Sequence, residues 1–187
     1  MIINYELENK LLEQPFTESL ENEDDYLLMA VRYAKTENSI AVLSDMKSDT
    51  SYVCCGKLGE LLGIGNNGAV IKINSIWEEL IFSKIHPDDL SSKFLDELRF
   101  YHFIMKISTE KRSDYYLCCN LRMKDCNNKY LNICHRMFYI NYDASGSARL
   151  SLCLYNLSFD DANRHIIFNS LTGETIALEN FNCKNIL

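Results

Sequence analysis

Apolar residues recur at two rhythms along the chain, every three to four positions in some stretches and every second position in others, and these rhythms outline the elements. Residues 1–37 read as helical: Tyr5, Leu7, Leu11 and Leu12 mark a first piece, Pro15 breaks it, and a second helix is predicted over about 22–35. Glu23, Asp24 and Asp25 occupy the first turn of that helix, where the macrodipole favours anions, and Leu27, Leu28, Val31 and Ala34 form its apolar stripe. The segment is expected to be a cap or coupling helix and not part of a core. Two β-like runs, 39–44 and 51–55, follow as one hairpin around the polar turn 45–50. Residues 56–74 hold five of the seven glycines, after which Ser75 reads as an N-cap and Glu78 completes a capping box.

The most strongly marked helix opens at His86-Pro87-Asp88-Asp89-Leu90, with Pro87 in its first turn and Phe94, Leu95, Leu98, Tyr101, His102 and Met105 at helical spacing. From Tyr115 the period becomes two. Residues 115–123, 130–142 and 148–157 predict three long sequential antiparallel strands, separated by the turns 124–129 and Asp143-Ala144-Ser145-Gly146. A short pair, 165–169 and 174–178, folds around Leu171-Thr172-Gly173, and 182–187 follow as a tail.

These elements predict an α+β fold: a five-stranded antiparallel sheet with helices on one face over residues 38–160, an N-terminal helical extension over 1–37, and a C-terminal β-hairpin and linker over 161–187. The inner face of the sheet is expected to hold Leu117, Cys119, Leu121, Ile133, His135, Leu150, Leu152 and Leu154, packed on Phe94, Leu98 and Tyr101. Cys134, Phe138 and Ile140 compete with His135 for that face. A cavity between these surfaces would be the ligand site, lined by Leu117, Cys119, Leu121, Ile133, His135, Leu152, Leu98 and Tyr101. The stripe of the 22–35 helix is too large to leave in water, so it should cover the outer sheet face or a partner's copy of it, and a homodimer is expected. Folding back on its own domain is the competing outcome.

Composition narrows the classes. With 187 residues, 47% hydrophobic, 24% charged and only 2 Pro, the chain can bury a sizeable core as one domain with appended pieces. Eight of the 26 acids but one base, Lys10, fall in the first 30 residues, leaving 18 of each sign in the rest. Nucleic-acid binding needs phosphates neutralised by a basic face, so none is expected through this chain alone. The acidic start and the short apolar run 26–31 fit neither a leader nor a membrane span, and a cytoplasmic location is expected. Cys54-Cys55 and Cys118-Cys119 point to opposite faces of their strands, and Cys126, Cys134, Cys153 and Cys183 show no Cys-x-x-Cys spacing. They read as reduced thiols acting as small apolar residues, and Asn156-Leu157-Ser158 as a chance sequon.

Chemical motifs are sparse. Gly63-Ile64-Gly65-Asn66-Asn67-Gly68 matches G-x-G-x-x-G, but a helical run precedes it and a β-like run follows, the reverse of a dinucleotide fingerprint, so it reads as a loop. His86, His102, His135 and His165 form no metal-ligand spacing, and no metal site is predicted. His86 precedes the helix-opening proline as a structural residue; His135 sits mid-strand, either as an ordinary sheet histidine or as a group that ligates haem or bonds a small ligand. No nucleophile motif is present, and the carboxylates fall at helix starts and turns, where they read as solvated or capping, so no catalytic residue or enzyme activity is expected.

The hairpin, helices and three-stranded meander, with Ile85-His86-Pro87-Asp88-Asp89, the strand 115–123 followed by Lys124-Asp125, and Tyr142-Asp143-Ala144-Ser145-Gly146 before the strand Leu150-Ser151-Leu152-Cys153-Leu154, resemble the PAS family of sensor domains over residues 38–160. The closest subgroup is the one whose last connecting helix opens with I-H-P-x-D. The helical N-C-R-F-L-Q motif of its photoreceptor members is missing, so no flavin adduct is implied, and His86 and His102 match the haem-binding members only superficially; no cofactor is expected. The segment 166–178 resembles the hairpin that joins such sensors to LuxR-type helix-turn-helix domains. The resemblance implies the sensory part of a transcription regulator that binds a small ligand or partner and reaches DNA through a further domain. A stand-alone small-molecule-binding protein or enzyme on the same frame is the alternative.

Overall fold

In the computed structural model, which describes residues 2–17, 23–159 and 164–180, the elements run α1 (Ile2–Leu12), α2 (Glu23–Thr36), β1 (Ile40–Asp45), β2 (Thr50–Cys55), α3 (Lys57–Leu61), β3 (Val70–Ile73), α4 (Glu79–Phe82), α5 (Pro87–Lys106), β4 (Tyr115–Lys124), β5 (Tyr130–Tyr142), β6 (Ala148–Leu157), β7 (His165–Asn169) and β8 (Thr175–Ala177). Asn22, Cys183 and the tail 182–187 lie outside the described residues.

All eight strands join one antiparallel sheet in the order β3-β2-β1-β6-β5-β4-β7-β8. The five expected strands are its centre, and the expected count of five is corrected to eight. The reason is physical: β2 and β4 would otherwise each present a row of unpaired backbone groups, which β3 and the hairpin β7–β8 satisfy. The C-terminal hairpin is therefore continuous with the sheet.

α5 forms where its start signals are strongest. The His86 ring Nδ1 accepts the Asp88 N–H at 3.3 Å, Pro87 takes the first turn, and Asp88 and Asp89 sit at the positive end of the dipole. Asp89 also clasps Arg122 on β4 at 2.6 and 2.9 Å, fixing the helix start to the sheet. α1, α3, α4 and α5 all bury apolar residues in the main cluster on the inner face; Leu7 and Leu11 of α1 belong to it, so this piece is core and not only cap.

The outer face carries a second cluster, in which Ala30 and Ala34 of α2 pack on Ala41, Leu43, Cys54, Leu150, Leu152 and Leu154. The 22–35 helix thus covers the outer face of its own sheet. Its close approach rests on Gly56, where an added Cβ would lie 2.3 Å from the Ala34 carbonyl oxygen. Leu150, Leu152 and Leu154 consequently face outward, correcting their assignment to the inner face. β6 is buried on both sides from Ala148 to Tyr155, so hydrophobicity carries no sign of which side is which. The β6 residues that join the inner cluster are Ala148, Cys153 and Tyr155. The capping box fails as well: Ser75 Oγ accepts the Trp77 N–H at 2.9 Å, but Glu78 turns into the core ahead of the four-residue α4.

Candidate functional site

Phe94, Leu98 and Tyr101 of α5 face the sheet as expected. The adjoining row, Lys93, Glu97, Phe100 and Ile104, faces it too, because positions four and seven apart share one side of a helix. Two charged residues are thereby carried inside. Lys93 is 2% exposed and Glu97 6%, and Lys93 Nζ donates to Glu97 Oε1 at 2.6 Å. The ammonium also lies 4.9 Å from the Phe82 ring centroid and 5.4 Å from that of Phe94, on which Trp77 stacks at 4.9 Å.

A second buried carboxylate belongs to Glu78. Its Oε1 accepts from Ser44 Oγ on β1 and Ser51 Oγ on β2, each at 2.9 Å. Burial raises the Glu78 pKa, although Lys93 and both hydroxyls pull it down. For Lys93 burial acts downward, but the Glu97 carboxylate that it bonds, with Glu78 beyond, outweighs it and keeps the pKa raised.

From β5, His135 enters the same space, fully buried and stacked on Tyr155 at 4.7 Å between ring centroids. Its Nδ1 lies 3.4 Å from Cys119 Sγ and its Nε2 3.8 Å from Glu97 Oε1, too far for a hydrogen bond, so Nε2 has no partner. Burial and the nearby Lys93 charge push the His135 pKa well below 6.5, and the ring is neutral. The Tyr139 hydroxyl, also on the inner face, is buried without a partner. Burial holds the Cys119 and Cys153 thiols protonated, with their pKa values well above 9.0. An orphaned polar atom in a core costs about 1–3 kcal/mol, and His135 Nε2 and the Tyr139 hydroxyl are two of five such side-chain atoms among the described residues.

Next to Glu97 on the helix, Asp96 turns toward the far edge of the sheet and holds the His165 Nδ1 of β7. That hydrogen bond raises the His165 pKa above 6.5 against the opposing effect of partial burial. On the surface, a cleft of about 270 Å³ lined by Trp77, Phe82, Pro87, Leu90 and Phe94 opens on the rings that carry the Lys93 ammonium.

Of the expected pocket residues, Leu117, Cys119, Leu121, Ile133 and His135 lie inward with Leu98 and Tyr101, whereas Leu152 lies beneath α2. Lys93, Glu97, Glu78 and Cys153 were not among them. The seven described cysteines are free thiols. The glycine-rich segment is a loop, with Gly63 and Gly68 at φ of 66° and 87°.

No protein-family model matches the chain, and no curated protein matches it. Among solved structures, it is similar to a sensory box histidine kinase/response regulator from Burkholderia thailandensis, at 11% identity and a TM-score of 0.41, over 69% of this chain and 81% of that one. It is similar to Drosophila melanogaster Cycle PAS-B with bound ethylene glycol at 8% identity and a TM-score of 0.40, over 64% of this chain and 99% of that one. The phage VqmA–DPO complex aligns at 11% identity and a TM-score of 0.41, over 73% of this chain, which spans 55% of that one.

Proposed function

We propose that this chain is a PAS-like sensory domain of a LuxR-type transcription regulator, and that it binds a small polar ligand at the buried cluster beneath α5. The observation that carries the reading is the pair of orphaned inward atoms, His135 Nε2 and the Tyr139 hydroxyl, beside the buried Lys93–Glu97 pair. The strand order β2-β1-β6-β5-β4, with the helices inserted between β2 and β4, supports the PAS-like frame that the I-H-P-x-D segment suggests.

Signalling follows from adjacency on one helix turn. Glu97 reaches the cluster while Asp96 grips His165 on β7, so a ligand that shifts α5 pulls on the hairpin that leads toward an output domain. The protonated thiols of Cys119 and Cys153 favour binding over nucleophilic chemistry. The outward side of α2, with Leu28 45% and Tyr33 41% exposed, suits a second copy of the chain.

The test is a thermal-shift screen of small polar compounds against wild type, Tyr139→Phe and Glu97→Gln. A compound that raises the melting temperature of wild type and of neither variant supports the reading. A screen with no stabilising compound, or one whose shifts persist in both variants, overturns it. Sequencing the natural reading frame past Leu187 tests the regulator context: a helix-turn-helix there supports it, and a stop codon refutes it.

A further inference from the structure

Three donor atoms of different chemistry meet in this cluster. One each from Glu97, His135 and Cys153, all buried, lie within 4.8 Å of one another. Each comes from a separate element, α5, β5 and β6, so no local turn or capping role accounts for the meeting. His135 Nε2 lies 3.8 Å from Glu97 Oε1 and bonds nothing. Two ligands of a tetrahedral zinc ion, at roughly 2.0–2.3 Å from the metal, stand about 3.3–3.8 Å apart. For a nitrogen and an oxygen donor the separation is about 3.3–3.5 Å, so the imidazole and carboxylate need close by only about 0.3–0.5 Å to reach ligand spacing.

We propose that the polar species held at this site is a divalent transition-metal ion of the zinc class, bound by Glu97, His135 Nε2 and Cys153 Sγ. This rests on the reading of the cluster as the sensory site and names what is sensed. The donor set of one nitrogen, one sulfur and one oxygen suits a borderline cation such as zinc and does not suit magnesium or calcium, which take oxygen donors. The tautomer with its proton on Nδ1 would donate to Cys119 Sγ, 3.4 Å away, and turn the Nε2 lone pair to the cluster, the orientation that metal binding requires. As the metal–sulfur bond forms, the Cys153 thiol gives its proton to solvent.

The ion's two positive charges are then matched by the Glu97 carboxylate and the Cys153 thiolate. Lys93, now bonded to Glu97, is the group the ion must accommodate. It remains within the electrostatic reach of Glu78, so the carboxylate it partly yields is not its sole counter-charge. Three protein donors leave one tetrahedral position open.

The full chain is equilibrated with zinc, passed through gel filtration and assayed for metal content, and in parallel loaded with cobalt(II) and read by absorbance. Expected are one retained equivalent, a thiolate-to-cobalt charge-transfer band, and a metal-dependent rise in melting temperature. His135→Gln and Cys153→Ser should each lose the retained equivalent, Cys119→Ala should weaken binding about 10–100-fold through the ring's orientation, and Cys126→Ser, which alters an exposed thiol, should bind as wild type. Near-ultraviolet circular dichroism establishes that each variant is folded. A wild-type chain retaining no equivalent, an equivalent kept by both His135→Gln and Cys153→Ser, or cobalt bound without the charge-transfer band overturns the metal site. A metal-free wild type that is stabilised by an organic compound, with the effect lost in Tyr139→Phe, refutes the metal while keeping the sensory reading; failure of both removes both.

Discussion

Replacing Lys93 by Met keeps most of the side-chain volume and deletes the ammonium that Glu97 holds at 2.6 Å. At an effective dielectric constant of about 20, that separation corresponds to about 6 kcal/mol of gross attraction. Burying the two ions consumes several kcal/mol each, so the intact pair is close to neutral for stability. Lys93→Met alone is different, because it strands Glu97 in the core and removes the cation that Glu78 also feels. The expected loss is about 3–5 kcal/mol. The double variant Lys93→Met/Glu97→Gln no longer strands Glu97, leaving only Glu78 without its cation, and should recover part of that loss, giving a coupling energy of about 2–3 kcal/mol in a double-mutant cycle. Urea unfolding at pH 7 measures it, read by the fluorescence of Trp77, the single tryptophan, which stacks on Phe94 beside the pair. A Lys93→Met chain within about 1 kcal/mol of wild type, or a double variant no more stable than Lys93→Met, refutes the picture of a dry, mutually dependent pair.

Three further outcomes are expected. The His165 pKa is raised by Asp96, so its stabilisation is present in full below about pH 6.5 and is lost as pH rises through the folded value; melting temperature against pH should show this fall in wild type and not in His165→Gln. Gly56→Ala forces a Cβ to 2.3 Å from the Ala34 carbonyl oxygen and 2.6 Å from that of Ser39, and should cost about 3 kcal/mol in denaturant unfolding; a change under about 0.5 kcal/mol would mean that α2 sits farther from β2. Leu28→Asp/Tyr33→Asp should turn a dimer into a folded monomer in sedimentation analysis, and a wild type already monomeric at high concentration disposes of the dimer. Deleting residues 1–36 is a poorer test, since it strips Leu7, Leu11, Ala30 and Ala34 from the two clusters.

The sequence carried the frame better than the site. α5 was legible because His86, Pro87, Asp88 and Asp89 are all start signals and Phe94, Leu98 and Tyr101 repeat at one spacing. The meander was legible because its turns are chemically distinct from its strands. The face of β6 was not, because a strand covered on both sides has no polar alternation to read. The buried acids were missed for an energetic reason: an isolated charge belongs in water, and only a partner brought by the fold reverses that. One signal was present. Lys93 and Glu97, four residues apart, precede Phe100 and Ile104 in a single helical row, so the charges interrupt an apolar stripe where a solvated pair would not be placed. The meeting of His135 with Cys153 had no such signal, because it depends on the β5–β6 register.

The ladder between β1 and β6 sets a kinetic condition on how this protein is made. It joins residues more than 100 apart in sequence, as in Ile40↔Tyr155 and Asp45↔Leu150, and it is the seam between β3-β2-β1 and the remaining strands. During synthesis the first hairpin emerges with one edge of β1 bare and waits until β6 has left the ribosome. At about 5–20 residues per second that wait lasts several seconds, far longer than a hairpin takes to form. An apolar edge exposed for that time invites pairing with another nascent chain. α2 precedes the hairpin and is available to cover the outer side of Ala41, Leu43 and Cys54 from the start. A helix at the beginning of the chain thus covers one face of a strand whose second partner, β6, is made more than 100 residues later, while the strand's open edge waits.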